Sequence, residues 1–169
     1  MEEWIKIDTI RIETRERSGA TRRAYPDWPC RRGCDECCRN LAALPDLTPM
    51  EWQEVERGLA GLSGPARAAV ELRIAAAALN GSGPYVCPFL DPAAGACLIY
   101  AYRPIACRTY GYYADARGRG LYCATIRRRE ESGELAGVVW GNQDAVEARL
   151  DELGPRIGLA EWADAHSRG

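Results

Sequence analysis

The stretch CRRGCDECC, residues 30–38, places four of the chain's eight cysteines within nine residues. How those sulfurs are used decides what kind of fold the chain can have. Paired with one another, they would make a disulfide scaffold. Bound to metal, they would let coordination hold loops that have little regular structure of their own. The opening residues, MEEWIKIDTI, lack a basic segment followed by an apolar one, so the expectation is a cytoplasmic chain without a signal peptide. In that reducing compartment clustered cysteines serve metals or catalysis more often than disulfides. No apolar run approaches the ~18 residues that span a bilayer, so no membrane association is expected. With 169 residues, 47% hydrophobic and 27% charged, the composition is that of one globular domain with a modest core. The net charge of −2 gives no electrostatic reason to expect a nucleic acid partner.

Working outward from the cluster, residues 4–12 (WIKIDTIRI) alternate apolar and polar in part, which predicts a short strand or an extended arm. Residues 18–29 carry no periodicity and read as a loop. Thr48-Pro49-Met50-Glu51 is a capping box with proline in the first helical position. Trp52, Val55 and Leu59 then share one helix face, and Gly61 is the stop. A second helix is predicted from Pro65 to Asn80, capped by Ser63 and ended by Gly81. Between 85 and 123, prolines 88, 92 and 104 interrupt the chain. There DPAAG (91–95) predicts a turn between two extended pieces, and RPIACRTYG a single helical turn. ESGELAGVVW suggests a turn and a strand. Asn142 should cap a third helix with Val146, Leu150 and Leu153 inward, and LAEWADAH a short terminal one. The expected fold is mainly α, a small α+β arrangement of helical hairpins around a loop-rich, cysteine-ligated centre, with a few short strands and a single domain over 1–169.

The spacing C-x3-C-x2-C lets Cys30, Cys34 and Cys37 converge on one centre, because ligand pairs two to four residues apart suit a tetrahedral thiolate site. Cys38 is different. Adjacent side chains diverge along extended or helical backbone, so Cys37 and Cys38 are expected to serve different centres. Eight cysteines at four per centre make two: one from Cys30, Cys34, Cys37 and a distant thiol, the other from Cys38 with three of Cys87, Cys97, Cys107 and Cys123. Soft thiolates suit Zn²⁺, copper(I) and iron–sulfur clusters of the [4Fe–4S] or [2Fe–2S] kind. The same spacing occurs in the cluster motif of radical S-adenosylmethionine enzymes, but the repeated strand–helix units of a barrel are missing from this sequence.

CRRGCDECC and the segment from CPFLDPAAGACLIYAYRPIACRTYG (87–111) to Cys123 together resemble the YkgJ-like cysteine-cluster family. Its hallmark is CxxCxxCC followed by C-P-x-L, C-x-I-Y-x-x-R-P-x-x-C-R and a last cysteine. The resemblance spans 30–123 and takes in all eight cysteines. One difference stands out: three residues, not two, separate Cys30 from Cys34. The resemblance implies a zinc- or iron-chelating protein or an iron–sulfur protein. A flagellin lysine methylase group shares the pattern, which implies that a peptide or protein client can be modified by some relatives.

A thiolate site carries excess negative charge that nearby cations and N–H donors must offset. Arg103 and Arg108 are the candidates for that work, and Tyr100, Tyr102 and Tyr110 for covering the centre against water. His166, the lone histidine, reads as a solvated residue near the end of the chain, so Cys–His and Ser–His nucleophilic arrangements have little support. Arg127-Arg128-Arg129 is followed by two glutamates and reads as a solvated mixed-charge face. No catalytic residue is assigned from sequence. Three functions remain: a metal centre serving redox chemistry or peptide modification, a zinc-stabilised binding module, and a metal carrier.

Overall fold

A computed structural model describes residues 1–79 and 83–167. In chain order its elements are α1 (Glu2–Ala24), α2 (Glu36–Arg39), β1 (Asp46–Leu47), α3 (Pro49–Ala60), α4 (Gly64–Leu79), β2 (Leu90–Asp91), β3 (Ala96–Cys97), a 3-10 turn (Tyr100–Tyr102), α5 (Ile105–Thr109), β4 (Tyr113–Ala114), α6 (Ala124–Glu131), β5 (Gly141–Asn142), α7 (Gln143–Asp151), β6 (Ile157–Gly158) and α8 (Leu159–Ser167). Helices take up 54% of the described chain and the strands are two residues each, so the fold is mainly α with small β pairings. Two compact units divide it, each built from two separate stretches: unit 1 is Met1–Arg32 with Ile105–Leu153, and unit 2 is Gly33–Pro104 with Gly154–Gly169. None of the helices among the described residues is long and apolar enough to cross a membrane.

Unit 1 is organised on α1, and here the expected strand at 4–12 is overturned and the loop expected over 18–29 is shortened: one helix runs through Ala24, and only 25–29 are loop. Its buried residues are Ile7, Ile10, Thr14, Ser18 and Thr21, a stripe at helical spacing. Three of the five are hydroxyl residues, which hid the stripe from a reading based on apolar periodicity. They tolerate burial because Thr14, Ser18 and Thr21 donate to the carbonyls of Arg11, Arg15 and Arg17 one turn back. Glu2 and Glu3 in the first turn and Arg22 and Arg23 in the last complement the helix dipole. Helix α5 packs on α1. Strands β4 and β5 pair in parallel, Tyr113 opposite Gly141 and Ala114 opposite Asn142. Asn142 then caps α7 by accepting from the Ala145 N–H. Val146, Leu150 and Leu153 are buried as expected. The strand expected within ESGELAGVVW does not form: 132–137 are turns, and β5 begins just after Trp140.

Unit 2 holds a core of Leu47, Trp52, Val55, Leu59, Val70, Ile74, Cys87, Phe89, Leu90, Ile99 and Leu159. Helix α3 starts with the expected capping box, both of its reciprocal hydrogen bonds present. It stops at Gly61, and the buried Trp52, Val55 and Leu59 are its inward face. At Gly58 an added Cβ would sit 2.9 Å from Ile99 Cβ, so the missing side chain is what lets the 3-10 turn lie against α3. Helix α4 ends, among the described residues, at Leu79; the expected stop at Asn80 and Gly81 lies outside them. The DPAAG turn joins β2 to β3 with Leu90 opposite Cys97, and Asp91 Oδ1 accepts from the Ala93 and Ala94 N–H groups. Strands β1 and β6 pair antiparallel, which brings α8 to the core, where Trp162 stacks on Trp52 at 6.0 Å and donates to the Leu47 carbonyl at 3.0 Å. His166 belongs to this helix rather than to a tail, its exposed ring 5.3 Å from that of Trp52.

Candidate metal centre

The eight cysteines divide between the units. Cys34, Cys37, Cys38, Cys87 and Cys97 fall in unit 2, and Cys30, Cys107 and Cys123 in unit 1. No disulfide joins any of them.

In unit 2 two backbone features gather thiols from three places in the sequence. The Cys87 N–H donates to the Cys38 carbonyl at 2.6 Å, and Leu41 and Tyr85 exchange a pair of backbone hydrogen bonds beside it. This ties α2 to the segment entering β2. The β2–β3 hairpin then returns Cys97 opposite Leu90. Cys87 is buried in the core, with Cys38 and Cys97 packed against it. Cys37 and Cys38 do not diverge as expected of neighbours: their thiols are hydrogen-bonded to each other, and Cys38 is hydrogen-bonded in turn to Cys87. The hydrogen bond to Cys38, followed by burial, holds the Cys37 thiol far above the ordinary thiol range. At Cys38 the hydrogen bond from Cys37 favours the thiolate. The hydrogen bond to Cys87, burial and the proximity of Cys87 and Cys97 outweigh it, and the group is pushed up to about 12. Cys37 and Cys38 thus keep their protons in a thiol chain that runs on to Cys87. Among the described residues no group of three or more His, Cys, Asp or Glu side chains is arranged to hold a metal ion. Thiols are nonetheless a soft donor set suited to a thiophilic metal. Cys34 is also half-buried in unit 2 but is not a member of this hydrogen-bonded chain. Its expected convergence with Cys30 spans the two units, and neither unit contains both.

In unit 1 the half-buried Cys30 is shaped by residues that spacing could not single out. Gly111 has φ +83, and a Cβ there would lie 2.4 Å from Cys30 Sγ. The Tyr112 hydroxyl donates to the Cys30 carbonyl. Tyr112 in turn accepts from Arg22 Nη1 at 2.9 Å, with that guanidinium 5.7 Å from its ring centre. Cys123 is buried at the N-cap of α6. Cys107 is exposed on α5.

The charge-balancing and covering residues expected from sequence are spread likewise. Arg103 lies over the Tyr100 ring at 4.2 Å in unit 2, and Arg108 sits on α5 in unit 1. Tyr100 and Tyr110 are half-buried and Tyr102 is 39% exposed. The tyrosines that are truly buried are Tyr112 and Tyr113. Gly111 closes the RPIACRTYG motif and Tyr112 follows it, and that was their only sequence signal.

No curated protein and no solved structure matches this chain. Residues 29–131, more than half of it and including every cysteine, match a family described as "CxxCxxCC: Putative zinc- or iron-chelating domain". A thiol-rich site built into the matched region is what that description calls for, and the chain belongs to the CxxCxxCC family of zinc- or iron-chelating domains.

Proposed function

We propose that Cys37, Cys38, Cys87 and Cys97 hold one metal centre in unit 2 as thiolates, and that Cys30, Cys107 and Cys123 are the donors available in unit 1. The observation that carries this is the thiol chain from Cys37 through Cys38 to Cys87, with Cys97 close enough to influence it. A tetrahedral thiolate site with metal–sulfur bonds of ~2.3 Å has sulfur–sulfur edges of ~3.8 Å, about the length of a thiol–thiol contact. A single Zn²⁺ or iron ion would replace the shared protons, and the side chains must rearrange to close on it, since no three of them are arranged to hold an ion among the described residues. Such a closed set leaves no position for S-adenosylmethionine and gives the metal a structural or carrier role.

A second reading is an iron–sulfur cluster, favoured by the adjacency of Cys37 and Cys38, which bind two irons of one cluster more easily than one ion. That centre would serve electron transfer or the modification of a peptide client. Anaerobic purification with metal and acid-labile sulfide analysis separates the two. Colourless protein with stoichiometric zinc or iron and no sulfide supports the single ion; brown protein with sulfide supports the cluster. Metal content unchanged by both Cys38→Ser and Cys87→Ser would defeat the assignment of the site itself.

A further inference from the structure

A second feature of unit 2 owes nothing to the cysteines. Helices α3, α4 and α8 enclose a cleft of ≈ 980 Å³ whose floor is Trp52, Leu59 and Ile74. Its walls are largely alanine: Ala75 and Ala78 from α4, Ala160 and Ala163 from α8. Small walls let another backbone come close, as they do where helices pack. Leu79, at one end, is 88% exposed.

The rim is acidic. Glu56, Glu71, Glu161 and Asp164 line it, against Arg67 as the one arginine. Arg67 is already engaged, its Nε 2.7 Å from Glu71. Glu56 and Glu161 have no ion pair or hydrogen bond among the described residues, a surplus of negative charge around an apolar floor. The floor is buried: Trp52 is 4% exposed, Leu59 5% and Ile74 2%.

We infer that this cleft is a docking site for a basic amphipathic helix of a partner protein. The apolar face of that helix would lie on Trp52, Leu59 and Ile74, with its lysines or arginines against Glu56 and Glu161. Recognition of an amphipathic helix by an apolar groove with charges at its edge is a recurring mode of binding. The stretch of α4 that lines the cleft, from Arg67 to Leu79, offers a wall of about 20 Å, the length of a helix of about three and a half turns. The acidic rim sets the sign of the partner's charge and makes the encounter dependent on salt.

The test uses the full chain, both chelator-treated and as purified, so that failure of the metal reading leaves this result intact. The probe is a fluorescein-labelled amphipathic Leu/Lys helix of about 14 residues, followed by fluorescence anisotropy. A Leu/Glu peptide of the same pattern and a Ser/Lys peptide of the same charge are the controls. The Leu/Lys peptide should bind and weaken at least about 10-fold when salt is raised from about 50 to about 300 mM. Both controls should bind at least about 10-fold more weakly. Ala75→Arg and Ala78→Arg, both at exposed positions, should each cut binding about 10-fold or more with unchanged circular dichroism. Glu56→Gln with Glu161→Gln should weaken it without touching the floor. Equal binding of the Ser/Lys peptide would mean unspecific charge attraction and would overturn the inference, as would binding that ignores both arginine variants. If either variant fails to fold, the glutamine pair decides alone. A dimer in sedimentation that Ala75→Arg converts to monomer would replace the partner helix with a second copy and also overturn it.

Discussion

Replacing Gly111 by alanine should damage unit 1 by two separable routes. The residue sits at φ +83, a conformation that costs a side-chain-bearing residue about 1–2 kcal/mol. The new Cβ would also land 2.4 Å from Cys30 Sγ and 3.2 Å from Ile126 Cδ1. Carbon contacts are optimal at about 3.5–4.0 Å, so the sulfur must move by an ångström or more, and overpacking of this kind adds about 1–3 kcal/mol. Gly118 and Gly133 lie in the same unit at φ +74 and +82, and a methyl added at either would meet nothing within 4 Å. They supply the backbone cost alone. Urea unfolding of chelator-treated, reduced protein should therefore show Gly118→Ala and Gly133→Ala down by about 1–2 kcal/mol and Gly111→Ala by about 2–5 kcal/mol. The displaced Cys30 thiol should in addition lower the metal bound through unit 1, while the two control variants keep wild-type metal content. If Gly111→Ala unfolds within about 0.5 kcal/mol of Gly118→Ala and binds metal normally, the reading of Gly111 as the seat of the Cys30 sulfur is wrong.

Other expectations concern unit 2. Cys38→Ser and Cys87→Ser should each remove the metal of that unit, whereas Cys107→Ser, on the other unit, should leave it; quantitative metal analysis of the three variants checks this. Metal uptake near neutral pH should release at least two protons, since Cys37 and Cys38 both keep theirs, and apparent affinity should rise steeply with pH; titration in weakly buffered solution with a pH indicator measures it. Without metal the sign for stability is the reverse. The folded value of Cys38, about 12, lies above the reference thiol value of 9.0, so its contribution is fully present below pH 9.0 and disappears as pH climbs toward 12. Thr48→Ala removes the side-chain half of the α3 capping box and the hydrogen bond from Thr48 Oγ1 to the buried Glu51 carboxylate, which should cost about 1–2 kcal/mol in chemical denaturation.

Local chemistry made several elements readable in advance. Thr48 and Glu51 mark the start of α3 because a side-chain oxygen and a carboxylate three residues on satisfy N–H groups that nothing else can reach. Asn142 announces α7 for the same reason, and Asp91 with Gly95 announces the hairpin, since the carboxylate can accept from the N–H groups that follow it. Helix α1 was not readable in this way. Its buried face is made of Ile7, Ile10, Thr14, Ser18 and Thr21, and a hydroxyl that bonds back to its own helix is polar in sequence yet behaves as a small packing group once folded.

The sequence by itself determined that this is a thiol-rich metal-binding chain, because eight cysteines in that pattern have few other uses. It also determined how α3 and α7 begin, because capping by Thr48 and Asn142 is settled within four residues. Only the tertiary structure decided which thiols meet. Cys38 reaches Cys87 through a backbone hydrogen bond between distant segments, and Cys97 arrives by hairpin register. Cys30 takes its place from a glycine without a side chain at 111. Pairing between remote strands, and room left by an absent methyl, depend on the whole packed core, and no spacing along the chain encodes them.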